Sequence, residues 1–167
     1  VIDDATELAT TLFGNYQERC RDFARQLLAM YSVAKDKDFV IVFNSGGWGW
    51  NLVEASPGWQ SISTGMESEL ASKGYTSLLL NYLRTRDNWR GYLDEFGEMI
   101  TGYRSKAKDL ACRLEFITSH IPDLTVIVAG ESNGTVICDE AMAILKDDRR
   151  VYSIQTGNPF WHKNLTL

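Results

Sequence analysis

Gly130-Glu131-Ser132-Asn133-Gly134 is the segment whose residue types and spacing best suit chemistry. It is a G-x-S-x-G pentapeptide, with an apolar run over residues 124–129 before it and a helical pattern over residues 135–146 after it. A serine on a sharp strand-to-helix turn stands clear of the backbone, and a glycine two places to either side lets strand and helix close up. The helix that follows points its opening N–H groups at the serine oxygen, which favours a developing negative charge. That is the chemistry of nucleophilic attack on a carbonyl. The plainer reading of the same residues is an ordinary strand–helix turn in which Ser132 caps the helix.

A second segment bears on the same chemistry. Asn44-Ser45-Gly46-Gly47-Trp48-Gly49 follows another short apolar run. Glycines there allow the backbone to approach a substrate closely, as a donor to an oxyanion must; the alternative is a flexible turn. Trp48, Trp50 and Trp59 crowd this loop, either lining a pocket or anchoring the loop to the core. Arg84, Arg86 and Arg90 can meet an acidic group of a substrate, but the better reading is a solvated loop paired with Asp87 and Asp94. The sequence has two histidines. His120 stands before Pro122 at a helix end, where a cation favours the helix dipole, and reads as structural. His162 reads as a packing or surface residue more readily than as a base.

These residues need elements to position them. Over residues 3–32, Leu8, Leu12, Tyr16, Cys20, Phe23, Leu27 and Met30 recur at helical steps, predicting an N-terminal amphipathic helix within residues 1–33 with a weak point at Gly14. Phe39-Val40-Ile41-Val42-Phe43 predicts a strand buried on both faces. A helix over residues 61–73 closes at Gly74, and a second strand holds Leu78-Leu79-Leu80. Tyr92, Phe96, Ile100, Tyr103, Ala107, Leu110 and Leu114 predict a long helix ending before Pro122. Residues 151–154 form a fourth strand, and residues 157–167 look irregular. Strands alternating with helices define an α/β class: about four parallel strands with helices on both faces, in a single domain over residues 1–167.

Composition sets the outer bounds. The 167 residues are 44% apolar and 23% charged, enough apolar content to close one core and too little charge for disorder. A net charge of −5, with no basic block, argues against nucleic acid or an anionic membrane surface as partner. No apolar run reaches the ~18 residues of a membrane span. Cys20, Cys112 and Cys138 are odd in number and far apart, which suits buried thiols in a reducing compartment and favours the cytoplasm. The start at Val1 leaves room for a secreted or anchored form with its N-terminus removed. Neither metal nor cofactor is expected.

The pentapeptide in its strand–turn–helix setting resembles the nucleophile elbow of the α/β-hydrolase superfamily, and the Asn44-Ser45-Gly46-Gly47 loop resembles its oxyanion loop. The resemblance covers residues 38–156, the central strands, and implies a strand order of 2-1-3-4. It implies Ser132 as nucleophile, and the backbone N–H groups of Asn133 and of Gly46 or Gly47 as the oxyanion hole, each worth roughly 3–4 kcal/mol. Trp48 and Glu131 become candidates for contact with a small acyl substrate. A trypsin-like reading of Asn44-Ser45-Gly46-Gly47 fails because that fold is two β-barrels, and a patatin-like lipase needs an Asp-Gly pair after Ser132. The family's order is nucleophile, acid, histidine. Asp139, Glu140, Asp147 and Asp148 lie within or at the end of one helix, so the acid and histidine are expected from sequence beyond Leu167, the domain being incomplete at that end. A sheet ending at its fourth strand leaves an edge on which two copies can pair. The rival reading is a non-catalytic binding or scaffold domain of the same fold.

Overall fold

The structure is a computed structural model, and it describes residues 1–47, 51–83 and 103–163. Trp48, Gly49 and Trp50 and the arginine cluster at 84–90 lie outside the described residues. The elements in chain order are helices α1 (Ile2–Phe13) and α2 (Gln17–Ala34), strand β1 (Phe39–Asn44), a short 3-10 turn (Val53–Ala55), helix α3 (Pro57–Ser72), strand β2 (Ser77–Asn81), helix α4 (Arg104–His120), strand β3 (Thr125–Glu131), helix α5 (Asn133–Ile144) and strand β4 (Val151–Thr156).

The four strands form one parallel sheet in the order β2-β1-β3-β4. Alternation along the central strands sends side chains into two layers. Val40, Val42, Val126 and Val128 join the larger core with α1, α2, α4 and α5. Ile41, Phe43 and Ala129 join the smaller one with Val53 and Trp59, against Met66 and Leu70 of α3. Both faces of the centre are thus covered, which is why β1 reads as a continuous apolar run. From β1 the chain steps outward to β2 through α3, then returns past β1 to β3 and β4. The direction of winding reverses between β1 and β3, and there the carboxyl ends of neighbouring strands part to leave a crevice.

Two helical expectations are corrected. The N-terminal pattern is two helices, because Gly14 takes φ 58°, ψ −124° and the chain turns there into a hairpin. Both halves kept their apolar face, so the spacing alone did not reveal the break. The long helix before Pro122 begins only at Arg104: Tyr103 is left-handed, at φ 58°, ψ 23°, a conformation no α-helix interior admits. Tyr103 is fully buried, and its ring serves as an anchor at the helix start. The expected upstream part, with Tyr92, Phe96 and Ile100, lies outside the described residues. Strand β4 is an edge of the described sheet, with Tyr152 and Ile154 exposed on the side of α3. Among the described residues no helix is long and apolar enough to cross a membrane.

Candidate functional site

Ser132 stands between the last residue of β3 and the first of α5, at φ 49° and ψ −120°. For a residue with a Cβ this backbone is strained, typically by about 1–3 kcal/mol, and it persists only where surroundings over-determine it. Those surroundings are visible. The Ser132 N–H donates to Thr156 O on β4 at 3.0 Å. Ser132 O accepts from the Thr135 N–H at 2.9 Å and lies 2.6 Å from Thr135 Oγ1.

The flanking glycines answer a steric demand. A Cβ on Gly130 would meet Cys138 Sγ at 2.8 Å and Thr135 Cα at 2.9 Å. A Cβ on Gly134 would lie 2.2 Å from Asn44 O and 2.9 Å from Ser45 O. The start of α5 is therefore pressed against the end of β1, which brings the glycine-rich loop to the serine. A Cβ on Gly46 would stand 3.1 Å from Ser132 Cβ. Gly46 is buried and its amide donates to no acceptor among the described residues. Gly47 is exposed at φ 56°, and Asn133 Nδ2 reaches Gly47 O at 3.5 Å. The Asn133 N–H opens α5 and has no helical carbonyl upstream of it. Two amides unclaimed among the described residues, Gly46 and Asn133, thus flank one half-buried hydroxyl in the crevice at the switch of winding.

Other residues line the same edge. Glu131 accepts from Ser56 Oγ at 2.9 Å, and Trp59 donates its indole N–H to Thr156 Oγ1 at 3.0 Å. Trp59 is buried in the first turn of α3, where it ties that helix to the sheet. Trp48 lies outside the described residues. Asn44 is fully buried at the end of β1, and neither its Oδ1 nor its Nδ2 has a hydrogen-bond partner among the described residues. Burying an unpaired amide is costly, and such orphans are rare in native folds.

Among the described residues, neither histidine hydrogen-bonds Ser132. His120 contacts Phe116 O and Asp4, closing the end of α4 onto α1, and its partner Asp4 is held below the usual carboxylate range first by that hydrogen bond. His162 Nε2 lies 2.9 Å from Asp139 Oδ2, with Asp139 fully buried. Asp139 is seven residues along α5 from Ser132, a helical rise of ~10 Å. Among the described residues, no side chain hydrogen-bonds Ser132 Oγ and no cluster of three metal-ligating groups occurs.

The segment after β4 does more than its irregular sequence suggested. Asn158 contacts Thr135 Oγ1 at 2.5 Å and His162 contacts Asp139, so positions four apart on the segment meet positions four apart on α5. A His162 N–H to Pro159 O bond at 3.0 Å folds the segment between the two contacts. Gly157-Asn158-Pro159 is a readable turn signal. The matching four-residue steps could have been noticed, although nothing local named the partners.

No protein-family model, curated protein or solved structure matches the chain. Fold and site together define a four-stranded parallel α/β protein with a strained serine at the strand–helix turn beside its winding switch.

Proposed function

We propose that this chain is a serine hydrolase of α/β-hydrolase type, acting on an ester or related acyl substrate. Ser132 Oγ attacks the carbonyl carbon, and the amides of Asn133 and Gly46 receive the oxyanion. Gly46 is preferred to Gly47 because it is buried against the serine with its N–H unclaimed. The observation that carries the reading is the backbone of Ser132 itself. A helix-capping serine needs only extended dihedrals, whereas φ 49°, ψ −120° is strain with no capping benefit, since the Ser132 side chain makes no cap hydrogen bond. Strain of this kind gathers where a side chain must be presented.

The reading requires a general base, because a serine hydroxyl alone is a poor nucleophile. His162, held by Asp139 two turns along α5, does not supply it as placed. That placement favours the second reading, a non-catalytic binding or scaffold domain. A fluorophosphonate probe applied to the natural full-length protein separates the two. Labelling that is lost in Ser132→Ala supports the hydrolase. No labelling, with ligand binding unchanged in Ser132→Ala, supports the scaffold.

A further inference from the structure

The strained turn at Ser132 is tied to the segment after β4 by a chain of contacts that bypasses the oxyanion amides. Thr135 is fully buried one turn into α5, and its hydroxyl touches two oxygens, Ser132 O at 2.6 Å and Asn158 Oδ1 at 2.5 Å. A threonine hydroxyl carries one proton and cannot donate to both. The single proton is shared between the two acceptors, and Oγ1 stands within hydrogen-bond distance of both. Thr135 Oγ1 thus bridges Asn158 Oδ1 and Ser132 O, donating to one or the other.

Asn158 is itself fixed from two sides. Before it, Gly157 at φ 67° passes close under the turn, where a Cβ would lie 3.8 Å from Ser132 N. Beyond it, His162 clips the segment to Asp139. The Ser132 N–H is held by Thr156 O, the residue just before Gly157. Residues 156–158 thereby grip both ends of the Ser132 peptide pair, the N–H directly and the carbonyl through Thr135.

We propose that Thr135 and Asn158 are positioning residues for Ser132: they hold its carbonyl, and so its side chain, in the presented conformation. The proposal rests on the serine-hydrolase reading. Loss of either group lets the turn relax toward ordinary dihedrals, swinging Oγ by an ångström or more, which costs about 10- to 100-fold in reaction rate.

The test uses the full natural protein and four variants: Thr135→Val, which removes the hydroxyl at nearly constant shape, Thr135→Ser, which restores it, Asn158→Ala and the Thr135→Val/Asn158→Ala pair. Fluorophosphonate labelling of Ser132 and hydrolysis of p-nitrophenyl acetate are followed, together with hydrogen exchange of the Ser132 amide. Thr135→Val and Asn158→Ala are expected to slow labelling by that factor, to lower kcat at unchanged KM and to speed amide exchange at Ser132. Thr135→Ser should recover the wild-type rate, and the pair should be no slower than the slower single variant, because both act through one network. Wild-type labelling and exchange in Asn158→Ala would overturn the proposal, whether or not Thr135→Val folds. A wild-type protein that does not label refutes the hydrolase reading instead, and unchanged exchange at Ser132 in Asn158→Ala then overturns the brace as well.

Discussion

Gly134→Ala is the substitution whose effect is most tightly bounded by the structure. The added carbon would lie 2.2 Å from Asn44 O, 2.8 Å from Asn44 C and 2.9 Å from Ser45 O. Carbon and carbonyl oxygen normally approach to ~3.3 Å, so the methyl intrudes by about 1 Å. All three atoms are backbone, and Asn44 is held in register opposite Gly130 on β3. No rotamer change relieves the clash; either α5 or the end of β1 must shift. Overpacking in a closed core costs about 1–3 kcal/mol, and a backbone-against-backbone intrusion belongs at the upper end. Replacing a helical glycine by alanine returns about 0.5–1 kcal/mol. A net loss of about 2–2.5 kcal/mol lowers the melting temperature of a chain this size by roughly 4–10 °C.

Gly65→Ala is the control of opposite sign. Gly65 is an exposed residue within α3, with nothing within 4 Å of its missing methyl. Relief of helix entropy there should raise stability by about 0.5–1 kcal/mol. Thermal unfolding followed by far-ultraviolet circular dichroism compares the two. A Gly134→Ala melting temperature within about 2 °C of wild type, less than 1 kcal/mol by the same scaling, would refute the close approach of α5 to β1, and with it the placement of Gly46 beside Ser132.

Three further outcomes are expected. Ser132→Gly should be more stable than Ser132→Ala by about 1 kcal/mol in urea denaturation, since glycine relieves the positive φ that alanine retains; equal stabilities would mean that the turn is unstrained. His162→Ala should lose about 1–3 kcal/mol, because buried Asp139 forfeits a donor, and an unchanged urea midpoint would show that the clip contributes nothing. Asp38 lies below the usual carboxylate range because the Thr76 backbone N–H and then its hydroxyl donate to it. A depressed folded pKa stabilises above the unfolded value of about 3.9 and stops doing so as pH falls through the folded one. Asp38→Asn should therefore be less stable than wild type at pH 6, with the gap narrowing as pH falls below about 4; a gap that does not narrow would sink the linkage.

Legibility in the sequence followed the range of the forces involved. The strands and the glycine turn were readable because each rests on neighbours in the chain: β-branched runs for β1 and β3, and glycines spaced around Ser132; the strand order followed only from the family resemblance. The hairpin at Gly14 and the late start of α4 at Tyr103 were not. In both, a single residue takes a positive φ inside an unbroken apolar period, and periodicity averages over such points. The site divides along the same line. Ser132, Asn133 and Gly46 announce themselves by local pattern, whereas Thr135, Thr156, Asn158 and the Asp139–His162 contact are long-range partners. Thr135 in particular looks like any residue of a helix's first turn until Asn158 is seen opposite its hydroxyl.

Asn44 joins these strands of the argument. Its carbonyl is the surface on which Gly134 rests, so its backbone sets the distance between the two halves of the site. Its carboxamide, fully buried with both polar atoms unpartnered among the described residues, occupies a place on β1 where alternation calls for another valine like Val40 and Val42. An apolar side chain there would avoid the desolvation of an unpaired amide, a saving of about 1–3 kcal/mol. A fold that keeps the amide at that cost, beside a serine kept under strain, spends stability twice within the same crevice. Packing alone accounts for neither, and both lie at the reversal of winding where open parallel sheets take their ligands. The two together are why the proposed site is placed in that crevice.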